Sequence, residues 1–269
     1  MNTRSEDLGP LLTGRVIAAA IAVHREFGPG LDERDYEQAL HLELLAAGIR
    51  HECQVPLPLL YKGVQLDCGF RMDLVVEEKL LLELKAVLEL HPLHEAQLLT
   101  YLRLSGMTLG LLMNFGSLIL RDGIIRRANS VTRRPRSYEP VSSDAGFDGL
   151  SHEIIAAALE VQAVLGSGLL RSAYEACLAH ELQLRGLSVE QRLPANLLYR
   201  ERLIPSSKEI PMVVNGEMMV SCFCVKKLEP IHLASQRSLL KAARHETGLC
   251  LNFHAPTMAA EVRRIHRHA

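Results

Sequence analysis

The sequence predicts an α/β protein made of two tandem domains, each a mixed central sheet flanked by helices. Two observations carry that prediction. The chain repeats itself in one gapless register, and the first copy reads as helix, helix, three antiparallel strands, helix, strand. Composition agrees: 269 residues, 48% hydrophobic and 23% charged, describe a globular chain with no apolar run long enough for a membrane span.

The repeat comes first because it sets the domain count. Shifted by 138 residues, Ile17-Ala18-Ala19-Ala20 falls on Ile155-Ala156-Ala157-Ala158 and Tyr36-Glu37 on Tyr174-Glu175. Gly28-x-Gly30-Leu31 meets Gly166-x-Gly168-Leu169, Leu59-Leu60-Tyr61 meets Leu197-Leu198-Tyr199, and Asn114-Phe115 meets Asn252-Phe253. Roughly thirty identities over about 110 aligned positions exceed chance, and the period is domain-sized. The expected layout is a domain over 1–130, a linker over 131–150 and a second domain over 151–269. Arg133, Arg134, Arg136 and Ser142 to Gly146 give the joint its turn-forming, charged chemistry.

The elements of the first copy follow from periodicity. Arg15 to Phe27 is Ala-rich with helical spacing, and Gly28-Pro29-Gly30 punctuates it. Leu31 to Ala47 is a second helix ended by Gly48. Val55–Tyr61, Val64–Val76 and Leu80–Val87 read as strands. Leu93–Leu104 is a helix closed by Gly106, Leu109–Asn114 a buried strand, and Leu118–Ile125 a short hairpin around Asp122-Gly123.

Charge limits the function classes. The net charge of −1 excludes a basic nucleic-acid coat, and 4% aromatics without tryptophan argue against a base-stacking platform. Residues 1–150 hold 16 Lys/Arg and 20 Asp/Glu (net −4), whereas 151–269 hold 14 and 11 (net +3) and no aspartate. The six cysteines are scattered and no secretory signature opens the chain, so they read as reduced thiols of a cytoplasmic protein.

Three charged residues interrupt apolar strand runs: Asp73, Glu83 and Lys85. Strand alternation puts Glu83 and Lys85 on one face. If Glu77-Glu78-Lys79 is the hairpin loop, residues equidistant from Glu78 oppose one another, and Asp73 meets Glu83. Two facing carboxylates need a proton or a cation between them. A hard divalent ion such as Mg²⁺ suits that pair, with Lys85 placed to stabilise developing negative charge. The rival reading is the wet face of an amphipathic hairpin, against which Leu81 and Val87 on the same face argue.

These residues also resemble a known family. Gly30-Leu31-Asp32-Glu33-Arg34-Asp35-Tyr36 is similar to the signature of the GxxExxY proteins, which belong to the PD-(D/E)XK, RecB-like nuclease superfamily of restriction-endonuclease-like fold. Asp73 with Glu83-Leu84-Lys85 resembles that superfamily's D…(D/E)xK core. Gln97-x-x-x-Tyr101 resembles the family's Gln-x-x-x-Tyr helix. The resemblance implies a nuclease using Mg²⁺ or Mn²⁺ on nucleic acid, taken as DNA. It implies Glu33, Asp73 and Glu83 as metal ligands, Lys85 as catalytic lysine, and Gln97, Tyr101 and Tyr36 as supporting residues.

At the 138-residue offset those positions become Arg171, Pro211, Ser221, Phe223, Ser235 and Leu239, while Tyr174 and Asn252-Phe253 persist. The second copy therefore reads as an inactive repeat, a pseudo-subunit in an intramolecular pseudo-dimer or a binding module. The alternative from another class is an idle scaffold that binds nucleic acid or a protein. His91 and His94 read as a solvated helix start rather than a zinc pair, and Cys222 and Cys224 as core residues. The Arg263–His268 tail and the linker arginines read as solvated charge rather than phosphate contacts.

Overall fold

A computed structural model describes residues 8–129, 148–204, 207–254 and 261–268. The chain divides into two compact units, Met1–Thr132 and Arg133–Ala269. The linker arginines and Ser142–Gly146 lie outside the described residues. The last residues of the expected linker are already helical, because the helix starts at Gly149, capped by Asp148 accepting from the Ser151 amide at 2.8 Å.

In the first unit α1 (Leu8–Phe27) and α2 (Glu33–Ala46) precede β1 (His51–Pro56), β2 (Leu59–Tyr61) and β3 (Val64–Leu66). Then come β4 (Arg71–Val76), β5 (Leu80–Lys85), α3 (Pro92–Ser105), β6 (Leu109–Asn114) and β7 (Ile124–Ala128). The sheet runs β1-β4-β5-β6-β7, and only β5 and β6 are parallel, which requires the α3 crossover between them.

The alternation of β4 and β5 builds two faces. Leu74, Val76, Leu80, Leu82 and Leu84 enter the core formed with Val16, Ala20, Tyr36, Leu40 and Leu44 of α1 and α2. The intervening Asp73, Glu83 and Lys85 therefore point to the opposite face. Leu74↔Leu82, Val75↔Leu81 and Val76↔Leu80 pair across the hairpin, the register expected for a turn centred on Glu78. Glu77 and Glu78 make that turn at φ 51° and 54°, and the Lys79 amide donates to the Val76 carbonyl at 3.0 Å.

Three local expectations need correction. The expected strand 55–61 splits around Pro56-Leu57-Pro58, where prolines remove ladder donors. The expected strand 64–76 breaks because Asp67 accepts from the Gly69 amide at 2.8 Å and Gly69 turns at φ 65°. The expected 118–125 hairpin is a 3₁₀ turn (Leu120–Gly123) followed by β7. There Gly123 answers a close approach: a Cβ on it would sit 2.3 Å from Ser117 Oγ and 2.8 Å from the Asn114 carbonyl.

The second unit repeats the order: α4 (Gly149–Leu165), α5 (Arg171–Leu184), β8 (Val189–Pro194), β9 (Leu197–Tyr199) and β10 (Arg202–Ile204). Its remaining elements are β11 (Glu209–Val214), β12 (Met218–Phe223), α6 (Pro230–Ala243), β13 (Thr247–Asn252) and β14 (Val262–His266). The sheet is β14-β13-β12-β11-β8, with β12 and β13 parallel.

Residues retained in both copies are scaffold. The buried Tyr36 donates to the Gly28 carbonyl at 2.6 Å, accepts from Leu31 N–H at 3.1 Å and stacks on Phe115. Tyr174 makes the same contacts to Gly166, Leu169 and Phe253. Asn114 accepts from the Val87 amide at 3.0 Å and donates to its carbonyl at 2.8 Å, as Asn252 does with Val225.

Candidate active site

The carboxylate-bearing face assembles in the first unit. Continuing the β4–β5 ladder by one step sets Asp73 opposite Glu83, and Asp73 Oδ2 accepts the Leu84 amide at 2.8 Å. Lys85 Nζ donates to Glu83 Oε1 at 2.8 Å and to the Leu84 carbonyl at 2.6 Å. It also reaches both Glu33 oxygens, at 3.3 and 3.4 Å. Glu33 is the first residue of α2, so the helix N-terminus brings it over the strand pair. All three strand residues are buried, Glu83 completely. An amphipathic wet face is thereby excluded.

The electrostatics reflect three carboxylates around one ammonium. Burial, then the Asp73 carboxylate, push Glu83 up to about 8. Burial also raises Asp73, against the pull of the Leu84 amide and Lys85. Glu33 is raised by burial, with Lys85 opposing. Burial works against the charged form of Lys85, yet Glu83, Asp73 and Glu33 together lift its pKa above the lysine norm.

Tyr101 and Gln97 stand one helical turn apart on α3, joined by an Nε2-to-hydroxyl hydrogen bond of 3.3 Å. Tyr101 is buried against Phe70, and burial, then the negative charge of Glu83, raises its pKa. Tyr36 is different. Its hydroxyl is consumed by the Gly28–Leu31 turn, so it holds the loop that leads into Glu33 rather than joining the site.

Two residues of this cluster were not singled out by sequence reasoning. Glu37, one turn after Glu33, accepts from Gln54 Nε2 at 2.7 Å. Gln54 adopts φ 52° where the β1–β4 ladder skips the position facing Asp73. The i, i+4 spacing of Glu33 and Glu37 was the available signal. Nothing in the sequence announced a left-handed glutamine.

The residues present fit a hard divalent cation. Glu83 Oε2 is buried with no hydrogen-bond partner among the described residues, beside Asp73 on the neighbouring strand, and one or two carboxylates suffice for such an ion. Glu33, Asp73 and Glu83 do not all bring an oxygen within 4.8 Å of one another, and Lys85 Nζ stands between Glu33 and Glu83.

The corresponding positions of the second unit are filled by other chemistry. Ser221 donates its hydroxyl to Gln236 Oε1 at 2.6 Å, and Phe223 lies edge-on to His232 at 5.7 Å. Arg171, at the Glu33 position, pairs with Glu175 at 3.3 Å. Pro211 replaces Asp73 without breaking the sheet, because the ladder is already interrupted there by Arg192 at φ 52°.

Other expectations resolve simply. His91 and His94 form a capping box at the α3 start, with Leu93 N–H donating to His91 and His91 N–H to His94. Cys222 is buried and Cys224 half-buried. In the basic tail, Arg264 pairs with Asp148 at 2.7 Å and Arg267 with Glu246 at 2.9 Å. Among the described residues, no helix is long and apolar enough to cross a membrane.

Compared with known families, residues 11–127 and 148–265 each match the model described as the PD-(D/E)XK nuclease superfamily. No curated protein and no solved structure matches the chain.

Proposed function

This chain belongs to the PD-(D/E)XK nuclease superfamily, and from that premise we propose that its first unit is a metal-dependent nuclease that hydrolyses phosphodiester bonds in DNA. The GxxExxY signature at Gly30–Tyr36 supports a RecB-like branch of the superfamily. One observation carries the reading: Glu33 and Glu83 both meet Lys85, with Asp73 beside them on the Leu84 amide, and all four positions are altered together in the second unit.

Glu33, Asp73 and Glu83 would hold a Mg²⁺ or Mn²⁺ ion. Such an ion supplies Lewis acidity at the phosphoryl oxygens and lowers the pKa of water. The residues do the remainder. Burial keeps the pocket at low effective dielectric, so the Lys85 ammonium acts strongly on negative charge developing at the scissile phosphate. Glu83 holds Lys85 at 2.8 Å and so fixes where that charge stands. Gln54 holds Glu37 at 2.7 Å on the helix after Glu33, and the Leu84 amide orients the Asp73 carboxylate. Gln97 and Tyr101 line the approach as phosphate-contacting groups.

The second unit, net basic and with Phe223 and the Ser221–Gln236 pair at the positions of Lys85, Glu83 and their surroundings, serves as a catalytically silent pseudo-subunit or binding module in the cytoplasm. The test is incubation of the full chain with labelled single- and double-stranded DNA and RNA in Mg²⁺ or Mn²⁺. Cleavage by the parent and a loss of about 10²–10³-fold in Lys85→Ala are expected. Equal cutting by both proteins overturns the site. No cleavage, with no heat on Mg²⁺ titration, returns the idle-scaffold reading.

A further inference from the structure

A second cluster of metal-ligating side chains lies away from the carboxylates, between the later turns of α2 and strand β1. His41 Nδ1 and His51 Nε2 are 2.8 Å apart, Cys53 Sγ is 3.6 Å from His41 Nδ1, and all three donor atoms lie within 4.8 Å of one another. We propose that His41, His51 and Cys53 form a binding site for a zinc-class transition-metal ion, with its fourth position open to solvent.

The strand geometry prepares it. His51 and Cys53 are two residues apart on β1 and share a face, and His41 meets them from the helix. The second nitrogen of His51 is already committed, with Nδ1 lying 2.8 Å from the Ile49 carbonyl. A carbonyl only accepts, so Nδ1 carries the proton and Nε2 presents its lone pair to the cluster. A backbone carbonyl behind a ligating imidazole is the usual support of a metal-bound histidine.

The distances fit a small tetrahedral ion. Bonds of about 2.0–2.1 Å to nitrogen and about 2.3 Å to sulfur imply donor separations of roughly 3.3–3.6 Å. The Sγ–Nδ1 distance is already 3.6 Å. The two histidine nitrogens must part by about half an ångström, once the hydrogen bond between them is replaced by two bonds to the ion. Imidazole and thiolate favour zinc-class ions, in contrast to the all-oxygen site at Asp73 and Glu83.

Proton accounting is definite. Cys53 gives its S–H proton to buffer, and His41 moves its proton from Nδ1 to Nε2, so one proton leaves per ion bound. All three ligands are half-buried, which leaves the fourth position to water. The second copy is an internal comparison: Ala179, Val189 and Gln191 stand at the three positions, so the ligand types are present together or absent together.

The test titrates the untagged, metal-stripped full chain with Co²⁺ alone. One equivalent should give visible d–d bands and a near-ultraviolet thiolate-to-cobalt band, both displaced by Zn²⁺, with one proton released. Cys53→Ser should lose the near-ultraviolet band, and His51→Ala should weaken binding at least about tenfold. Zn²⁺ should raise the melting temperature of the parent but not of Cys53→Ser, which covers any misfolding of the histidine variant. Glu83→Gln should keep the thiolate band. Absence of that band in the parent, or its survival in Cys53→Ser, overturns the site. Either result leaves the nuclease reading untouched, because that reading rests on oxygens elsewhere.

Discussion

The Lys85 ammonium holds Glu83 Oε1 at 2.8 Å while Oε2 of the same fully buried carboxylate has no partner among the described residues. An interior charge satisfied on only one oxygen, with the Asp73 carboxylate on the neighbouring strand, is costly, and the folded protein answers by retaining a proton.

That retention predicts a pH dependence. Folded Glu83 keeps its proton to about 8, against an ordinary 4.5. Between those values the unfolded chain binds fewer protons, so metal-free stability is complete below the unfolded value and falls as pH rises towards the folded one. The loss is on the order of a few kcal/mol. Asp73 and Glu33 are raised as well and act in the same direction. Mg²⁺ binds the deprotonated carboxylates. Thermal unfolding with and without Mg²⁺ should show a larger stabilisation at pH 8 than at pH 5; equal gains at both would show that the ion does not use this cluster.

The same cost predicts a trade between stability and activity. Glu83→Gln removes the buried charge, keeps an oxygen for Lys85 and turns a donor towards Asp73. Metal-free protein at pH 8 should therefore melt higher than the parent. The variant should also lose its Mg²⁺-induced shift and its cleavage. A variant that melts higher but still cuts would remove Glu83 from the chemistry.

Much of this site was legible in the sequence because strand periodicity is strict. A loop centred on Glu78 and alternation along Leu80–Lys85 were enough to oppose Asp73 and Glu83, and the observed Leu74↔Leu82 register agrees. The rest depends on backbone conformations that side-chain pattern does not encode. Gln54, which holds Glu37, is left-handed in mid-strand, and arginine occupies the same conformation in the second unit. Asp122-Gly123 has the composition of a hairpin turn, yet tertiary contact with Ser117 and Asn114, not a positive φ, is what needs the glycine.

The retained tyrosines separate scaffold from chemistry. Tyr36→Phe keeps the stack on Phe115 but leaves the Gly28 carbonyl and Leu31 amide without their partner, a cost of about 1–3 kcal/mol. Tyr174→Phe should cost about as much in the second unit, where Gly166 and Leu169 lose theirs. Denaturant unfolding measures both. Once folded, Tyr36→Phe should cleave at the parental rate with saturating Mg²⁺. A slower rate at full folding would give the hydroxyl a direct part in the reaction.

The hairpin turn that aligns Asp73 with Glu83 is itself strained. Glu77 and Glu78 both take positive φ, and among the described residues only the first is compensated: its carboxylate accepts from the Arg50 amide at 3.2 Å and guanidinium at 2.7 Å. The second copy solves the same turn with Asn215-Gly216, where Asn215 accepts from the Ser188 amide at 2.9 Å. Asn-Gly is the preferred pair for two successive left-handed residues, and glycine enters that region without a Cβ penalty. Glu78→Gly should therefore stabilise the first unit by about 1 kcal/mol, the relief of left-handed strain outweighing the extra freedom of the unfolded chain. Chemical denaturation of the parent and variant measures it. Destabilisation would mean that the Glu78 side chain, rather than the turn geometry, holds the β4–β5 register.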